Sequence, residues 1–89
     1  MVDNPDNMIT SYQIYKMKKN RVIYLLRFLA DNVTKGDVDK AVSILYSSET
    51  FKCLQETKTN FWWKSEEELK YLITKELQGD MRAWQAQAF

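Results

Sequence analysis

Residues 61–79, FWWKSEEELKYLITKELQG, specify a helix together with both of its ends. Ser65 followed three residues later by Glu68 is a capping box, in which each side chain accepts a backbone N–H at the helix start. Gly79 is a typical terminator, because glycine adopts a left-handed conformation without strain. Between these ends, apolar residues repeat at spacings of three and four and predict the buried face: Leu69, Leu72, Ile73 and Leu77.

A longer helix is predicted upstream, from a cap at Thr10 or Ser11 to about Val33. Neither glycine nor proline interrupts this segment, although the pattern allows a bend near Asn20. Its apolar face is broad, so we expect a central helix that is contacted from more than one side. The residues of that face are Val22, Ile23, Tyr24, Leu25, Leu26, Phe28, Leu29 and Val33.

The next segment predicts a second helix and a short third one. Gly36 suits a left-handed helix end and Asp37 suits the cap of the helix that follows. Ser47–Thr50 then predicts a break, because these side chains compete for backbone hydrogen bonds. The second helix carries Val38, Ala41, Val42 and Leu45, and the short helix carries Phe51, Cys53 and Leu54. Residues 55–60 are polar and predict a loop or an irregular turn.

These elements predict an all-α fold, a small bundle of three main helices with a short extra helix between the second and the third. A chain of 89 residues fits one domain, residues 1–89, because a second core would leave too little apolar surface for each half. We expect residues 1–9 to form a loose N-terminus. Residues 80–89 are expected to form a C-terminal tail with a further turn or two of helix.

Composition excludes several classes of protein. The net charge is only +1, although residues 16–40 carry seven basic and three acidic side chains, so the strong basic excess of a nucleic-acid-binding domain is missing. Cys53 is the only cysteine, which excludes an intramolecular disulfide and favours a reducing compartment. No stretch approaches the roughly 20 apolar residues of a membrane span. A soluble, cytoplasmic protein without membrane contact is the expectation.

The residues that usually carry catalysis are sparse. There is no histidine, which removes the commonest general base and zinc ligand, and two glycines form no phosphate loop. Cys53 suits a buried structural thiol better than a nucleophile, because no base adjoins it. Glu66, Glu67 and Glu68 point about 100° apart on a helix and suit capping rather than metal binding. We predict no enzyme activity, no cofactor and no metal site.

One basic segment is a candidate nucleic-acid surface. It contains Lys16, Lys18, Lys19 and Arg21, interleaved with Tyr12, Tyr15 and Tyr24. Basic groups hold phosphate and rings can stack on bases. The alternative interpretation is a solvated helix end, because on a helix these side chains spread over more than one face.

The aromatic residues are the strongest candidates for partner binding. Trp62 and Trp63 are adjacent, and on an extended segment they point to opposite sides, so that one packs and the other faces outward. In the alternative, both close the bottom of a small core. Trp84 and Phe89 have little sequence after them, so a partner or a second copy covers them, or they fold back.

Residues 45–54 read LYSSETFKCL and precede a polar turn, an aromatic cluster and the helix that opens at Ser65. Over residues 20–78 this order resembles a family of small uncharacterised bacterial helical proteins, some of which are encoded beside putative toxin genes. The resemblance implies an antitoxin-like or accessory role.

Together, the exposed aromatic candidates, the sparse catalytic residues and this resemblance predict a non-catalytic protein–protein interaction module without a small-molecule substrate. The alternatives are nucleic-acid binding through residues 16–21 and self-association through the tail.

Overall fold

The computed structural model describes residues 10–89, in which all regular secondary structure is helical. Within this range five α-helices follow one another: α1 Ser11–Asn32, α2 Val38–Ser47, α3 Glu49–Gln55, α4 Glu66–Leu77 and α5 Met81–Ala88. Two short 3-10 turns, Thr57–Thr59 and Phe61–Trp63, connect α3 to α4. The predicted all-α class is confirmed, whereas the predicted count of three main helices and one short helix is corrected to five. The predicted loose N-terminus, residues 1–9, lies outside the described range.

α1 is the central helix, against which α2, α3 and α4 pack. A capping box opens it: Thr10 Oγ1 accepts from the Gln13 amide at 3.1 Å, and Gln13 Oε1 accepts from the Thr10 amide at 2.8 Å. The helix runs without interruption through Asn20. Its C-terminal half buries Leu25, Leu29 and Ala30 in the core.

The turn between α1 and α2 uses the residues that the sequence predicts. Gly36 has a φ of 95°, and its amide donates to the Ala30 carbonyl at 2.6 Å. Lys35 shares the left-handed conformation, with a φ of 55°. Asp37 caps α2, because its Oδ1 accepts from the Lys40 amide at 3.0 Å. A turn this short makes α1 and α2 antiparallel neighbours.

Ser48 produces the predicted break between α2 and α3. Its hydroxyl donates to the Leu45 carbonyl at 2.7 Å and accepts from the Phe51 amide at 3.0 Å, so it closes one helix and opens the next. A second cap comes from across the bundle, because the Glu76 carboxylate accepts from the amides of Glu49 and Thr50. A carboxylate at this position also interacts favourably with the α3 dipole.

One hydrophobic core holds the helices together. Its buried members are Leu25, Leu29, Ala30, Ala41, Leu45, Leu54, Phe61, Trp62, Leu69, Leu72, Ile73, Trp84 and Ala88. Val33, Val38 and Leu77 were predicted in buried faces but are exposed. Val38 and Leu77 are terminal residues of α2 and α4, and Val33 follows the last residue of α1.

The expected tail is a helix that packs on this core. Asp80 caps α5, since its Oδ1 accepts from the Ala83 amide at 3.1 Å. Trp84 and Ala88, four residues apart and therefore on one face, are both buried. The tail thus completes the bundle as a fifth helix. No helix within residues 10–89 combines the length and apolarity needed to cross a membrane.

Candidate functional site

The two adjacent tryptophans lie on the 3-10 turn Phe61–Trp63. An extended segment was predicted here, and that prediction is wrong, because Asn60 takes a left-handed φ of 62° and starts a turn. Successive side chains of a 3-10 turn point about 120° apart. Phe61 and Trp62 are consequently buried, whereas Trp63 is 61% exposed. The alternative in which one tryptophan packs and the other faces outward is the one observed.

Hydrogen bonds hold this turn on the bundle. Trp62 Nε1 donates to the Thr57 carbonyl at 2.8 Å, and its ring meets the Trp63 ring edge-on, with centroids 5.6 Å apart. On the other side of the turn, Arg21 Nε donates to the Lys64 carbonyl at 2.8 Å. The exposed Trp63 ring therefore extends from a backbone that is fixed at both ends.

The basic segment of α1 is divided between structural and exposed side chains. Lys18 Nζ donates to the Gln55 carbonyl and to Thr57 Oγ1, both at 2.8 Å, so its charge lies at the C-terminus of α3, where the helix dipole favours a cation. Arg21 makes the bond to Lys64 described above. Lys16 and Lys19 are the two exposed members of the set, and Lys16 Nζ lies 5.4 Å from the Tyr12 ring centroid.

The two aromatic residues of the C-terminal segment have different environments. Trp84 is 5% exposed, and its Nε1 donates to Thr50 Oγ1 at 2.9 Å, so it folds back into the chain's own core. Phe89 is 79% exposed, although its ring centroid lies 5.8 Å from that of Phe61. Of the four candidate partner-binding residues, Trp63 and Phe89 therefore present surface, while Trp62 and Trp84 do not.

The groups that were weighed for catalysis are Cys53 and the glutamates at the start of α4. Cys53 is half-buried, and burial, reinforced by the carboxylates of Glu49, Glu56 and Glu76, raises the pKa of its thiol. A raised pKa keeps the thiol protonated near neutral pH and lowers its reactivity. Glu68 completes the capping box with Ser65, and Glu67 pairs with Lys70 at 3.1 Å. Within the part of the chain that the structure describes, no three His, Cys, Asp or Glu side chains gather as a metal site.

A second exposed surface, the outer stripe of α1, was recognised only in part from the sequence, which grouped Tyr12, Lys16 and Lys19 with residues on other faces of the helix. It consists of Tyr12, Lys16, Lys19, Ile23 and Arg27, all exposed. Ile23 was predicted in the apolar face, yet it is 41% exposed. The signal that could have revealed the stripe is its spacing of four, three, four and four residues, which follows one face of a helix.

No protein-family model matches the chain, no curated protein is significantly similar to it, and no solved structure matches it. The resemblance to small bacterial helical proteins stays a prediction. Trp63 and the outer stripe of α1 remain the two candidate surfaces for a partner.

Proposed function

We propose that this chain is a non-catalytic protein-interaction module and that Trp63 is the centre of its partner-binding surface. The observation that carries the proposal is the 61% exposure of an indole ring on a turn fixed by its neighbours. Tryptophan is enriched among the few residues that dominate binding energy at interfaces. Phe89 is a second exposed aromatic available to a partner.

The fixed turn favours binding, because association costs free energy for every side chain or loop that must be ordered. The Trp63 backbone is ordered before any partner arrives, since Trp62 and Lys64 on either side of it are hydrogen-bonded. Covering the exposed part of the ring would stabilise a complex by about 2–4 kcal/mol. That value is enough to decide whether a modest interface forms.

A more specific form of this function is an antitoxin-like or accessory role in a bacterial cytoplasm. Its support is the resemblance of residues 20–78 to small proteins that are sometimes encoded beside putative toxin genes. In this role, the partner is a protein encoded by a neighbouring gene. Co-expression of that protein with the tagged chain and with its Trp63→Ala variant tests the idea, and equal co-purification with both would contradict it.

The general function is tested by affinity capture from a native lysate with three versions of the tagged chain. Trp63→Ala removes the proposed centre, and Tyr71→Ala removes another exposed aromatic residue, on α4, as a matched control. We expect a saturable partner that binds the wild type and the Tyr71 variant but not the Trp63 variant. Circular dichroism establishes that all three are equally helical. Absence of any specific partner, or one retained by Trp63→Ala, would refute the proposal.

A further inference from the structure

We propose that the outer stripe of α1 is a docking surface for an acidic amphipathic helix of another protein. This surface is separate from Trp63, and the proposal does not depend on the partner-binding function proposed for Trp63. Arg21, which holds the Trp63 turn through Lys64, lies on the core side of α1. Ile23, two residues further on, points about 160° away from it.

The stripe is straight and continuous. Its five residues, Tyr12, Lys16, Lys19, Ile23 and Arg27, lie on one helical face over about 22 Å, the length of roughly four turns. All five are exposed, whereas Leu25 and Leu29 on the opposite face are fully buried. A second helix can therefore lie along α1 without disturbing the core.

The charge of the stripe selects an acidic partner. Lys16, Lys19 and Arg27 supply three cations, and the first acidic side chain of α1 is Asp31, one turn beyond Arg27 at the end of the stripe. The remaining cations of this segment, Lys18 and Arg21, donate to main-chain carbonyls of the 55–64 connection. An approaching helix thus meets one sign of charge along the whole stripe, which speeds association with acidic surfaces and disfavours basic ones.

The apolar residues of the stripe favour a protein partner over nucleic acid. Ile23 lies between Lys19 and Arg27, one turn from each, and an aliphatic side chain gains nothing from phosphate. Beside Ile23, a groove of about 270 Å³ separates α1 from α3; it is lined by Tyr15, Lys18, Lys19, Val22, Ile23 and Gln55. Leucine side chains of an amphipathic helix fit such a groove while flanking carboxylates reach the cations.

The test is a fluorescence-anisotropy titration of the full chain with a labelled peptide of about 20 residues, long enough to form a helix. The peptide has Leu at heptad positions a and d, Glu at e and g, and Ala elsewhere. A scrambled peptide of the same composition controls for charge alone. A labelled DNA oligonucleotide, single- or double-stranded, is the nucleic-acid arm.

Two triple variants make the comparison specific. Lys16→Gln, Lys19→Gln and Arg27→Gln together remove the charge of the stripe. Lys40→Gln, Lys58→Gln and Arg82→Gln remove the same charge from exposed positions elsewhere. Ile23→Ser removes the apolar centre alone. We expect at least about tenfold weaker peptide binding in the stripe triple, about fivefold in Ile23→Ser and less than about twofold in the control triple.

Three results would overturn the proposal. The first is a failure of specific peptide binding: the designed peptide does not bind, or the scrambled peptide binds with the same affinity, or both triple variants lose affinity to the same extent. The second is DNA binding tighter than peptide binding and lost in the stripe triple, which would assign the surface to nucleic acid. The third is a wild-type chain that is dimeric by light scattering while Ile23→Ser is monomeric, which would assign it to a second copy. Trp63→Ala is expected to bind the peptide normally, so failure here is distinguishable from failure at Trp63.

Discussion

Thr50 joins three helices through one hydroxyl group. It is fully buried on α3, accepts from Trp84 Nε1 of α5 at 2.9 Å and donates to Glu76 Oε1 of α4 at 2.8 Å. A hydroxyl can do both because it offers one donor and two acceptor positions. The buried indole N–H of Trp84 therefore depends on this side chain for its acceptor, and the same hydroxyl adds a third hydrogen bond to the Glu76 cap.

Replacing Thr50 with Val keeps the shape of the side chain but leaves the Trp84 N–H buried without its acceptor. We expect Thr50→Val to lower the free energy of unfolding by about 2–3 kcal/mol. Thr50→Ser keeps the hydroxyl and loses one methyl group, with an expected cost of about 1 kcal/mol. Urea denaturation followed by circular dichroism measures both. Equal stability of the two variants would show that the hydroxyl is unimportant.

Glu68 makes the stability of α4 sensitive to pH. The Ser65 amide, which donates to the Glu68 carboxylate at 2.9 Å, is the main cause that holds the pKa of this carboxyl below its ordinary value of 4.5. The Ser65 hydroxyl and the charge of Lys64 act in the same direction. The folded chain therefore binds this proton more weakly than the unfolded chain does.

Comparison of the wild type with Glu68→Gln isolates this effect, because Gln keeps the geometry of a capping box. The wild type should be more stable by at most about 0.5 kcal/mol above pH 4.5, because solvent screens the charge of so exposed a carboxylate. The difference should disappear as pH falls through the lowered pKa of the folded state. Urea denaturation at a series of pH values measures it. In a Ser65→Ala background the pH dependence should shrink only in part, because the backbone amide that donates to Glu68 remains. A constant difference at all pH values would contradict this account.

At the scale of the elements, Gly79 is a residue suited to the end of a helix. Gly79 follows α4 with a φ of 79°, which L side chains rarely adopt. Apart from atoms of its own two chain neighbours, no atom lies within 4 Å of where its Cβ would be, so the side chain of a substituted residue has open space. Substitution of Gly79 therefore destabilises the fold only through the strain of placing another residue in the left-handed backbone conformation.

Gly79→Ala should lower the free energy of unfolding by about 1 kcal/mol, because alanine is strained in the left-handed region. Gly79→Asn is the matched control, since asparagine tolerates this region best among other residues, and it should cost less than Ala. Thermal and urea denaturation report both values. If alanine proves no worse than asparagine at this position, α4 does not need a left-handed residue to end.

At the scale of the whole molecule, α5 supplies a substantial part of a small core. Trp84 and Ala88 are buried, and the Trp84 ring centroid lies 6.1 Å from that of Phe61. A domain of this size buries a smaller share of its surface than a large one, so it has little stability to lose. The C-terminal residues belong to the bundle rather than to a separate tail.

Trp84→Ala should therefore lower the free energy of unfolding by about 3–5 kcal/mol. A chain cut after Gly79 should be largely unfolded or much less stable than the full chain. Phe89→Ala, at a 79% exposed position beside the same ring, should cost less than about 1 kcal/mol. Circular dichroism melts compare the three, and light scattering reports the mass of each. An unchanged melting temperature in the cut chain would contradict the role assigned to α5.

The local signals of this sequence determined the helices and their ends. Ser65 with Glu68, Asp37 before α2, Ser48 before α3 and Gly79 after α4 all act on backbone groups within four residues of themselves. Interactions over so short a range depend on residue type and spacing, which the sequence states directly. The all-α class follows from them, together with the buried centres of α1 and α4.

Only the tertiary structure decided which aromatic and basic residues remain on the surface. Trp84 meets Thr50 across 34 residues of sequence, and Lys18 meets Gln55 across 37. Trp62 and Trp63 are of one residue type and adjacent, yet the turn buries the first and exposes the second. Such outcomes depend on how whole helices pack against one another, and packing joins residues distant in sequence, whose pairing no local pattern encodes.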